Sequence, residues 1–366
     1  MTHSGKLVRL CPGGRWLGRV GPGAALAVRY ATEYHKKDHM EVSMYVITGG
    51  AGFLGSALLW QLNCMNIEDI VVVDNLARSD KWRNLVKRRY VDYLHRDQFL
   101  DLVKRDALPW EVSAVVHLGA CSATTEKDAD FLMENNFHYS RDLCRYALDK
   151  GARFINASSA ATYGDGSLGF SDDENLVPHL RPLNMYGYSK QLFDLWLLRE
   201  GLQSEVVSLK FFNVYGPNEY HKGDMQSVAA KAHRQIRKEG SLNLFKSDRA
   251  DMADGEQRRD FVYVKDCTAL MAWLLERNDV CGIHNVGTGT ARSFNELAMS
   301  VFGALELPCR INYVDMPDTL KGRYQHFTQA AMDWLDRVDC PLTFTSLEEG
   351  IADYVCGYLE MDDAYL

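Results

Sequence analysis

Three side chains in the middle of the chain have the types and spacing that proton transfer at an alcohol requires. Tyr186 and Lys190 are four residues apart, so on a helix their side chains share one face. A nearby ammonium group favours the tyrosinate and brings the phenol pKa from about 10 towards neutrality. A phenolate tuned in this way can take the proton of an alcohol, and Ser159, at the end of a predicted strand, can hydrogen-bond the same oxygen. We therefore predict that Tyr186, Lys190 and Ser159 form a catalytic site.

A glycine-rich turn near residue 50 is typical of a phosphate-binding site. The apolar, β-branched run at 44–48 predicts a strand, and three glycines follow it at intervals of three residues, Gly49, Gly52 and Gly55. Glycine lets the backbone turn tightly, approach a pyrophosphate and pack the next helix on the sheet, and the N-terminus of that helix favours phosphate. A second apolar strand at 70–73 ends in Asp74, 19 residues beyond Gly55, where a ribose-binding acid is expected. The pattern predicts a nicotinamide dinucleotide site, whose oxidised ring adds positive charge beside the phenol.

The residues after the second strand leave the choice between NAD and NADP open. Asp74 can bond a free ribose 2′-hydroxyl but repels a 2′-phosphate. Asn75 is neutral, and Arg78, Lys81 and Arg83 follow within nine residues of Asp74, so cations are available to neutralise an added phosphate. These cations are equally well explained as the solvent-exposed face of a basic segment.

The pattern along the chain predicts an α/β protein with a doubly wound parallel sheet. Predicted strands at 114–118 and 153–157 flank a predicted helix at 128–150, and strands that alternate with helices form parallel sheets. Ligands bind at the C-terminal ends of such strands, where the segment 118–122 lies. Cys121 in this segment has no evident paired base, so we expect a small pocket-lining residue and not a nucleophile.

Together with the run TGGAGFLG at 48–55, the Ser159, Tyr186 and Lys190 set resembles the extended short-chain dehydrogenase/reductase family of nucleotide-sugar enzymes. Alone, a Tyr-x-x-x-Lys spacing usually indicates only an amphipathic helix, and it is the glycine turn, the acid at 74 and the Ser-rich strand end that favour catalysis. Dehydratases of this family carry carboxylates directly after the strand-end Ser or Thr. Residues 160–162 are Ala-Ala-Thr, so dehydration is disfavoured.

Further motifs narrow the resemblance to the epimerases of this family that act on an ADP-heptose. They are NMYGYSK at 184–190, FNVYGP at 212–217 with HKG at 221–223, RRDFVYV at 258–264, and LKGRYQ at 320–325. The resemblance runs from residue 44 almost to the end of the chain. It implies interconversion of the two C6″ epimers of ADP-glycero-β-D-manno-heptose for the lipopolysaccharide core, by transient oxidation and re-reduction. It also implies NADP as the cofactor, with NAD as the alternative.

The resemblance further implies two acid–base residues, because the proton must be handled from two orientations of the sugar. Tyr186 would serve one epimer and Lys222, in the HKG motif, the other. In addition to the three glycines, the residues implied at the cofactor are Phe53, Leu54, Asp74, Asn75, Lys81, Arg96, Leu118, Gly119, Ala120, Cys121, Ser122, Asn135, Lys190, Val214 and Lys222. Those implied at the substrate are Ser159, Asn213, Asp224, Lys231, Phe245, Lys246, Ser247, Asp248, Arg259 and Tyr324.

Several positions depart from the family pattern. Leu118 replaces an acidic residue, and Asp224 and Lys231 stand where the family has Ser and His. The run Phe-Lys-Ser-Asp at 245–248 replaces Phe-Glu-Gly-Ser, and residues 249–257 have the character of a short insertion. These departures affect the contacts expected with the ADP moiety more than the chemistry.

Composition and charge exclude several other classes. The chain has 366 residues, 46% hydrophobic and 25% charged, which is typical of a globular protein with a full core. A net charge of −8 argues against a protein whose main task is to coat nucleic acid or anionic lipid, and no apolar run approaches the roughly 18 residues of a membrane helix. Nine Cys without a Cys-x-x-Cys pair indicate thiols in a reducing compartment, so we expect a cytosolic protein.

The chain divides into three predicted parts. Residues 1–43 are expected to be a disordered or non-native extension, with an organellar transit peptide as the alternative, because residues 1–32 hold five basic and no acidic side chains. Residues 44–214 with about 262–290 are predicted to form an NADP-binding Rossmann domain, and about 215–261 with 291–366 a substrate-binding lobe. His35 and His39 have no third ligand nearby, so no metal site is predicted. The resemblance implies a homo-oligomer, with a pentamer as one form.

Two other functions stay open on the residues alone. A UDP-hexose 4-epimerase would use the same Ser159, Tyr186 and Lys190, although the LKGRYQ motif argues against it. A catalytically silent NADP-binding regulatory protein would be expected to have a broken Tyr/Lys pair, and the pair here is intact.

Overall fold

The computed structural model describes residues 43–317 and 325–366. The predicted extension therefore lies outside the described residues, apart from residue 43, and so does Tyr324. The strands are β1 Met44–Thr48, β2 Ile70–Asp74, β3 Asp92–His95, β4 Val112–His117, β5 Arg153–Ser159, β6 Val207–Phe211, β7 Asn213–Tyr215, β8 Leu242–Phe245, β9 Arg258–Tyr263, β10 Gly282–Val286, β11 Ala291–Ser293 and β12 Ile311–Val314.

A seven-stranded parallel sheet runs in the order β10-β6-β5-β4-β1-β2-β3. From β1 the chain continues outward to β2 and β3, then returns to the other side at β4, so the direction of winding switches between β1 and β4. Ligands of doubly wound sheets bind outside the strand ends at such a switch point. The predicted fold class is confirmed, and the switch point coincides with the glycine turn after β1 and the segment 118–122 after β4.

Two smaller sheets lie outside the main one. One has the order β11-β9-β7, with β7 parallel and β11 antiparallel to β9, and the other pairs β12 with β8 in parallel. Since β7 follows β6 after a single residue, the chain passes directly from the main sheet into the second one.

Helices lie on both faces of the main sheet and beside the smaller sheets. They are α1 Phe53–Cys64, α2 Arg96–Lys104, α3 Ala129–Leu132, α4 Tyr139–Asp149, α5 Met185–Glu200, α6 Val228–Glu239, α7 Val264–Glu276, α8 Phe294–Ala304, α9 Trp334–Arg337 and α10 Leu347–Tyr354. A π-helical turn, Met133–His138, joins α3 to α4 within the predicted helix at 128–150.

The central strands are buried on both faces, as parallel strands covered by helices must be. All five residues of β2, for example, are buried, and Ile70 and Val72 have no exposed surface. Helix α7 packs into the same core through Leu270 and Met271, whereas α6, α8 and α10 share a second core with β8. Among the described residues, no helix combines the length and the apolar character that crossing a membrane requires.

Candidate active site

The turn after β1 leaves no room for side chains. Gly49 has a φ of +66°, and a Cβ there would lie 2.7 Å from the backbone nitrogen of Gly119. A Cβ on Gly55 would overlap the carbonyl oxygen of Gly49. The backbone of the turn thus packs against both α1 and the segment after β4. Glycine at these positions provides the bare backbone surface that a dinucleotide needs.

The start of α1 and the buried Asp74 complete this surface. The N-cap residue Gly52 makes no side-chain cap, and the first turn of α1, which holds Phe53 and Leu54, contains no acidic residue. Such a helix end attracts phosphate because its first N–H groups lack intrahelical partners. The residues therefore fit a dinucleotide cofactor, with phosphates at the helix end and a ribose near Asp74.

Asp74 is tied to the turn and to a lysine at the same time. Its Oδ2 accepts a hydrogen bond from the Ala51 backbone N–H at 2.9 Å, and its Oδ1 accepts one from Asn75 N–H at 2.6 Å. The Lys81 ammonium lies 2.6 Å from Oδ1. The predicted group of Asp74, Asn75 and Lys81 is thus brought together, with the charge of the acid balanced by Lys81.

The segment after β4 is fastened to the π-helical turn. Asn136, which has no exposed surface, accepts a hydrogen bond from Cys121 N–H at 2.9 Å and donates to the Cys121 carbonyl at 3.0 Å. Asn136 also donates to Ser189 Oγ on α5 at 3.0 Å. Its neighbour Asn135 accepts a hydrogen bond from Arg96. This chain of contacts joins the residues predicted at the cofactor, 118–122, Arg96 and Asn135, to the helix that carries Tyr186.

Tyr186 and Ser159 approach each other at the C-terminal edge of the main sheet, where the Ser159 hydroxyl favours the tyrosinate. Tyr186 lies in the first turn of α5, which is capped by Asn184, and Ser159 is the last residue of β5. Burial raises the pKa of Tyr186, and the Ser159 hydroxyl opposes this shift. In the protein by itself the pKa of Tyr186 lies above its ordinary value, because removing the phenol from water outweighs the favourable contact. The predicted shift towards neutrality also depends on the charge of the oxidised nicotinamide and stays a prediction.

Lys190 is buried one helical turn beyond Tyr186. Burial lowers the pKa of Lys190 to about 8, and the carboxylate of Asp194, a further turn along α5, opposes this shift. His117, at the end of β4, bonds Thr48 Oγ1 at 2.6 Å and Ser140 Oγ at 2.8 Å. Burial first, and then the charge of Lys190, lower the pKa of His117 to about 3, so this imidazole is neutral.

Lys222 lies beside the glycine turn, in the 3₁₀ segment Tyr220–Met225. Its ammonium is 5.2 Å from the centre of the Phe53 ring, at the start of α1. Burial lowers the pKa of Lys222, and the buried carboxylate of Glu219 opposes the shift. The structure therefore groups Lys222 with the residues predicted at the cofactor.

Apart from Ser159 at the end of β5, the described residues predicted at the substrate lie on β7, β8, β9 or α6, or in the segments beside them. Asn213 and Val214 lie on β7, and Arg259 on the neighbouring β9 is buried, with its guanidinium 5.7 Å from the Phe294 ring centre. Gln325 donates to the carbonyl oxygen of Gly164 at 2.9 Å, which brings the end of the LKGRYQ motif next to the segment that follows Ser159.

The positions that depart from the family pattern contact one another and the insertion. Lys231 Nζ donates to the Asp224 carbonyl at 2.6 Å. After Phe245, the last residue of β8, Lys246 pairs with Asp315 at 3.0 Å, Ser247 N–H donates to Asp254 Oδ1 at 2.8 Å, and Asp248 pairs with His326 at 3.2 Å. The run 245–248 is thus held by residues of the insertion and of neighbouring segments.

Sequence reasoning did not single out Asn136, His117 or Asp194. Asn136 adjoins the predicted Asn135 but its role depends on the π-helical turn, and His117 was counted only as part of a strand. Asp194 could have been found, because it lies four residues beyond Lys190 and so shares its helix face.

Residues 45–287 match the NAD dependent epimerase/dehydratase family. The ADP-L-glycero-D-manno-heptose-6-epimerase of Nitratidesulfovibrio vulgaris (strain DP4) is 63% identical over 323 residues, which cover 88% of this chain and 100% of the relative. The protein of the same name from Fusobacterium nucleatum subsp. nucleatum is 46% identical over 332 residues, with coverage of 88% and 100%.

Among solved structures, the Helicobacter pylori ADP-L-glycero-D-manno-heptose-6-epimerase is similar with a TM-score of 0.73 and 28% identity, covering 89% of this chain and 99% of that chain. The family resemblance inferred from the motifs is confirmed by these matches. Because the family match extends over residues 45–287 and a curated relative is matched over its full length, the chain belongs to the NAD dependent epimerase/dehydratase family.

Proposed function

We propose that the chain interconverts ADP-D-glycero-β-D-manno-heptose and ADP-L-glycero-β-D-manno-heptose by inverting C6″, and so supplies heptose for the lipopolysaccharide core. The observation that carries the proposal is the close approach of Tyr186 and Ser159 at the edge of the main sheet. It puts an acid–base phenol and a hydroxyl donor where one substrate oxygen can contact both. The chain is 63% identical to a relative whose name states this activity.

The nicotinamide cofactor of this family fits the glycine turn, and we take it to be NADP. Asp74 is paired with Lys81 at 2.6 Å, so its charge no longer opposes a 2′-phosphate. Asn75 and Lys81 would hold that phosphate, while 118–122, Arg96, Asn135 and Val214 would hold the rest of the cofactor. When bound, the nicotinamide supplies the hydride acceptor and donor that inversion of an alcohol carbon without net oxidation needs.

Tyr186 handles the proton of one epimer. Its Oη takes the proton of the C6″ hydroxyl when this epimer is oxidised, and donates a proton to the same oxygen when this epimer is formed in the reverse direction. Ser159 Oγ hydrogen-bonds this oxygen and keeps it beside the phenol. Because burial disfavours the tyrosinate, a positive charge close to the phenol is needed, and the Lys190 ammonium on the same helix face supplies it.

Lys222 handles the proton of the other epimer. Burial lowers its pKa, which makes the neutral amine accessible as a proton acceptor, and Glu219 keeps the ammonium accessible as a donor. Its position over Phe53 places it at the turn that would hold the cofactor. A sugar that presents C6″ in either orientation then meets an acid–base group.

The heptose and its ADP would be held by the second part of the molecule. We assign about 215–261 and 291–366 to a substrate lobe, and 44–214 with about 262–290 to the NADP-binding domain; the packing of α7 into the core of the main sheet supports this division. Arg259 suits the diphosphate because its guanidinium fork matches phosphate oxygens. Asn213, Asp224, Lys231, 245–248 and Tyr324 complete the proposed substrate contacts.

The test is to incubate the purified protein with ADP-D-glycero-β-D-manno-heptose, without added cofactor, and to follow the C6″ epimer ratio by NMR. We expect the L-glycero isomer to form without accumulation of ketone or free NADPH. If the ratio stays fixed even after NADP⁺ is supplied, the assignment fails and UDP-hexoses become the next substrates to assay.

Location and assembly complete the proposal. In the described ranges, seven cysteines other than Cys64 are free thiols, which supports a reducing, cytosolic compartment. We further propose a homo-oligomer, and sedimentation analysis of the purified protein would measure its stoichiometry, including the pentamer suggested by the family resemblance.

A further inference from the structure

The face of the main sheet beneath Ser159 carries charged and hydroxyl side chains where hydrocarbon is the norm. Lys210 on β6 and Asp194 on α5 are both 0% exposed, with Nζ 3.3 Å from Oδ2. Asp194 also accepts hydrogen bonds from Ser158 Oγ at 2.7 Å and from Ser208 Oγ at 2.8 Å. The ion pair is therefore embedded in a network that links two strands to the helix of Tyr186.

This network reaches Ser159 by two routes. Ser158, its neighbour in β5, donates directly to Asp194. On the other side, Lys210 Nζ donates to Thr162 Oγ1 at 2.9 Å, and Thr162 Oγ1 donates to the carbonyl oxygen of Ser159 at 2.8 Å. The backbone on either side of Ser159 is thus anchored to the pair, one member of which lies on the same helix as Tyr186 and Lys190.

Stability does not account for such a pair. The cost of taking two charges out of water roughly cancels their attraction, so apolar residues of similar size would stabilise a core as well or better. What the pair does provide is a fixed geometry, because the donors and acceptors admit one arrangement of strand end and helix. The arrangement that it fixes is the one in which Ser159 meets Tyr186.

We propose that Lys210 and Asp194 are positioning residues that hold Ser159 against Tyr186 for proton transfer at C6″. The proposal rests on the proposed function. Asp194 has a second effect, since its carboxylate favours the ammonium form of Lys190. Among the described residues, the charge that opposes the effect of burial on Lys190 is the carboxylate of Asp194, and Lys190 in turn lowers the pKa of His117 on β4.

The test uses the double variant Lys210→Met/Asp194→Asn, because either single change could leave one charge buried alone and unfold the protein. We expect kcat for epimerisation to fall about 100-fold, the size of effect that a misplaced reacting group produces, with KM unchanged. The single variant Lys210→Arg, which keeps the charge, should retain most of the wild-type kcat. The double variant should also shift the alkaline fall of the pH–rate profile to lower pH, since the pKa of Lys190 drops when the Asp194 carboxylate is lost.

The matched control is Arg153→Met, at the opposite end of β5. Arg153 is also a buried cation, and it donates to the carbonyl oxygens of Arg277, at 3.0 Å, and Val280. We expect this variant to lose stability while the kcat of the folded protein stays at the wild-type value. A double variant with wild-type kcat would overturn the proposal.

A crystal structure of the double variant separates this proposal from the proposed function. We expect Ser159 and Tyr186 to move apart, and an unchanged separation of their hydroxyl groups from that in the wild-type protein would overturn the positioning role whatever the substrate is. Failure of the wild-type protein to convert the ADP-heptose would instead count against the proposed function.

Discussion

Gly55 offers a sharp test of the cofactor site, because the atoms around it are backbone atoms that cannot turn aside. A Cβ at this position would overlap the Gly49 carbonyl oxygen and lie 2.7 Å from Gly50 Cα. Carbon atoms pack at about 3.5 Å, so α1 and the turn would have to separate by about 0.8 Å. Overpacking of this kind costs about 1–3 kcal/mol.

We expect Gly55→Ala to weaken NADP⁺ binding by a similar free energy. The turn moves away from the added Cβ and relieves the clash. It must return to its original position, against the clash, before its backbone can contact the pyrophosphate. Since 1.4 kcal/mol corresponds to a tenfold change in affinity, the Kd should rise roughly 5- to 150-fold. Isothermal titration calorimetry of NADP⁺ into both proteins measures this difference directly.

Gly303→Ala is the matched control. Gly303 lies on the exposed side of α8, and no atom lies within 4 Å of the added Cβ. We expect an unchanged Kd for NADP⁺ and a free energy of unfolding that rises by up to about 1 kcal/mol, because Ala favours the helix. If Gly55→Ala bound NADP⁺ as tightly as the wild type, the cofactor would not depend on this turn and the reasoning would be refuted.

Three further substitutions test the acid–base site and its support. Tyr186→Phe should lower kcat for epimerisation roughly 10²- to 10⁴-fold, the usual contribution of a positioned acid–base group, with NADP⁺ affinity unchanged by calorimetry; a wild-type rate in the NMR assay would exclude the phenol from proton transfer. Burial lowers the pKa of Lys190 to about 8, so the wild-type rate should fall as the pH rises through that value and the ammonium is lost. Lys190→Arg keeps its charge, so its pH–rate profile should stay flat there, and the same fall in this variant would contradict the assignment. Asn136→Ala leaves the Cys121 N–H without its acceptor and should cost about 1–3 kcal/mol in urea unfolding; an unchanged unfolding midpoint would show that the π-helical turn holds without it.

Much of the architecture could be predicted from local signals in the sequence. The apolar runs that became β1 and β2 are short, β-branched and followed by glycine or an acid, and this combination is specific to the first half of a dinucleotide-binding fold. The spacing of Tyr186 and Lys190 likewise predicts that they share one helix face. These features depend on a few neighbouring residues and can therefore be recognised in the sequence alone.

The remaining features depend on contacts between distant segments. The strand predicted at 114–118 ends at His117, because Gly119 N–H turns to Thr48 Oγ1 at 3.2 Å and does not continue the ladder. The strand predicted at 153–157 extends to Ser159, because β5 pairs with β6 as far as Phe211. A pattern of residue types contains neither of these pairings.

Burial had the largest effect that the sequence could not reveal. The pKa of Tyr186 is raised although a lysine stands one turn away, since the cost of desolvating the tyrosinate is set by the whole surrounding structure. Lys210 lies on β6, and the packing of α5 on that strand brings it to Asp194. Charged residues in a strand give no sign of whether water or another charge will face them.

The double attachment of Asp74 constrains how cofactor preference can change, in evolution or in the laboratory. Its carboxylate supports the glycine turn through Ala51 and also balances Lys81, so replacing it would loosen the turn as well as alter the choice of nucleotide. Position 75 differs, because Asn75 bonds Asp74 through its backbone N–H, which a change of side chain leaves in place. Substitutions there can therefore exchange one nicotinamide nucleotide for the other while the phosphate-binding backbone is preserved, and this position is the natural target for redesigning the coenzyme specificity of this chain.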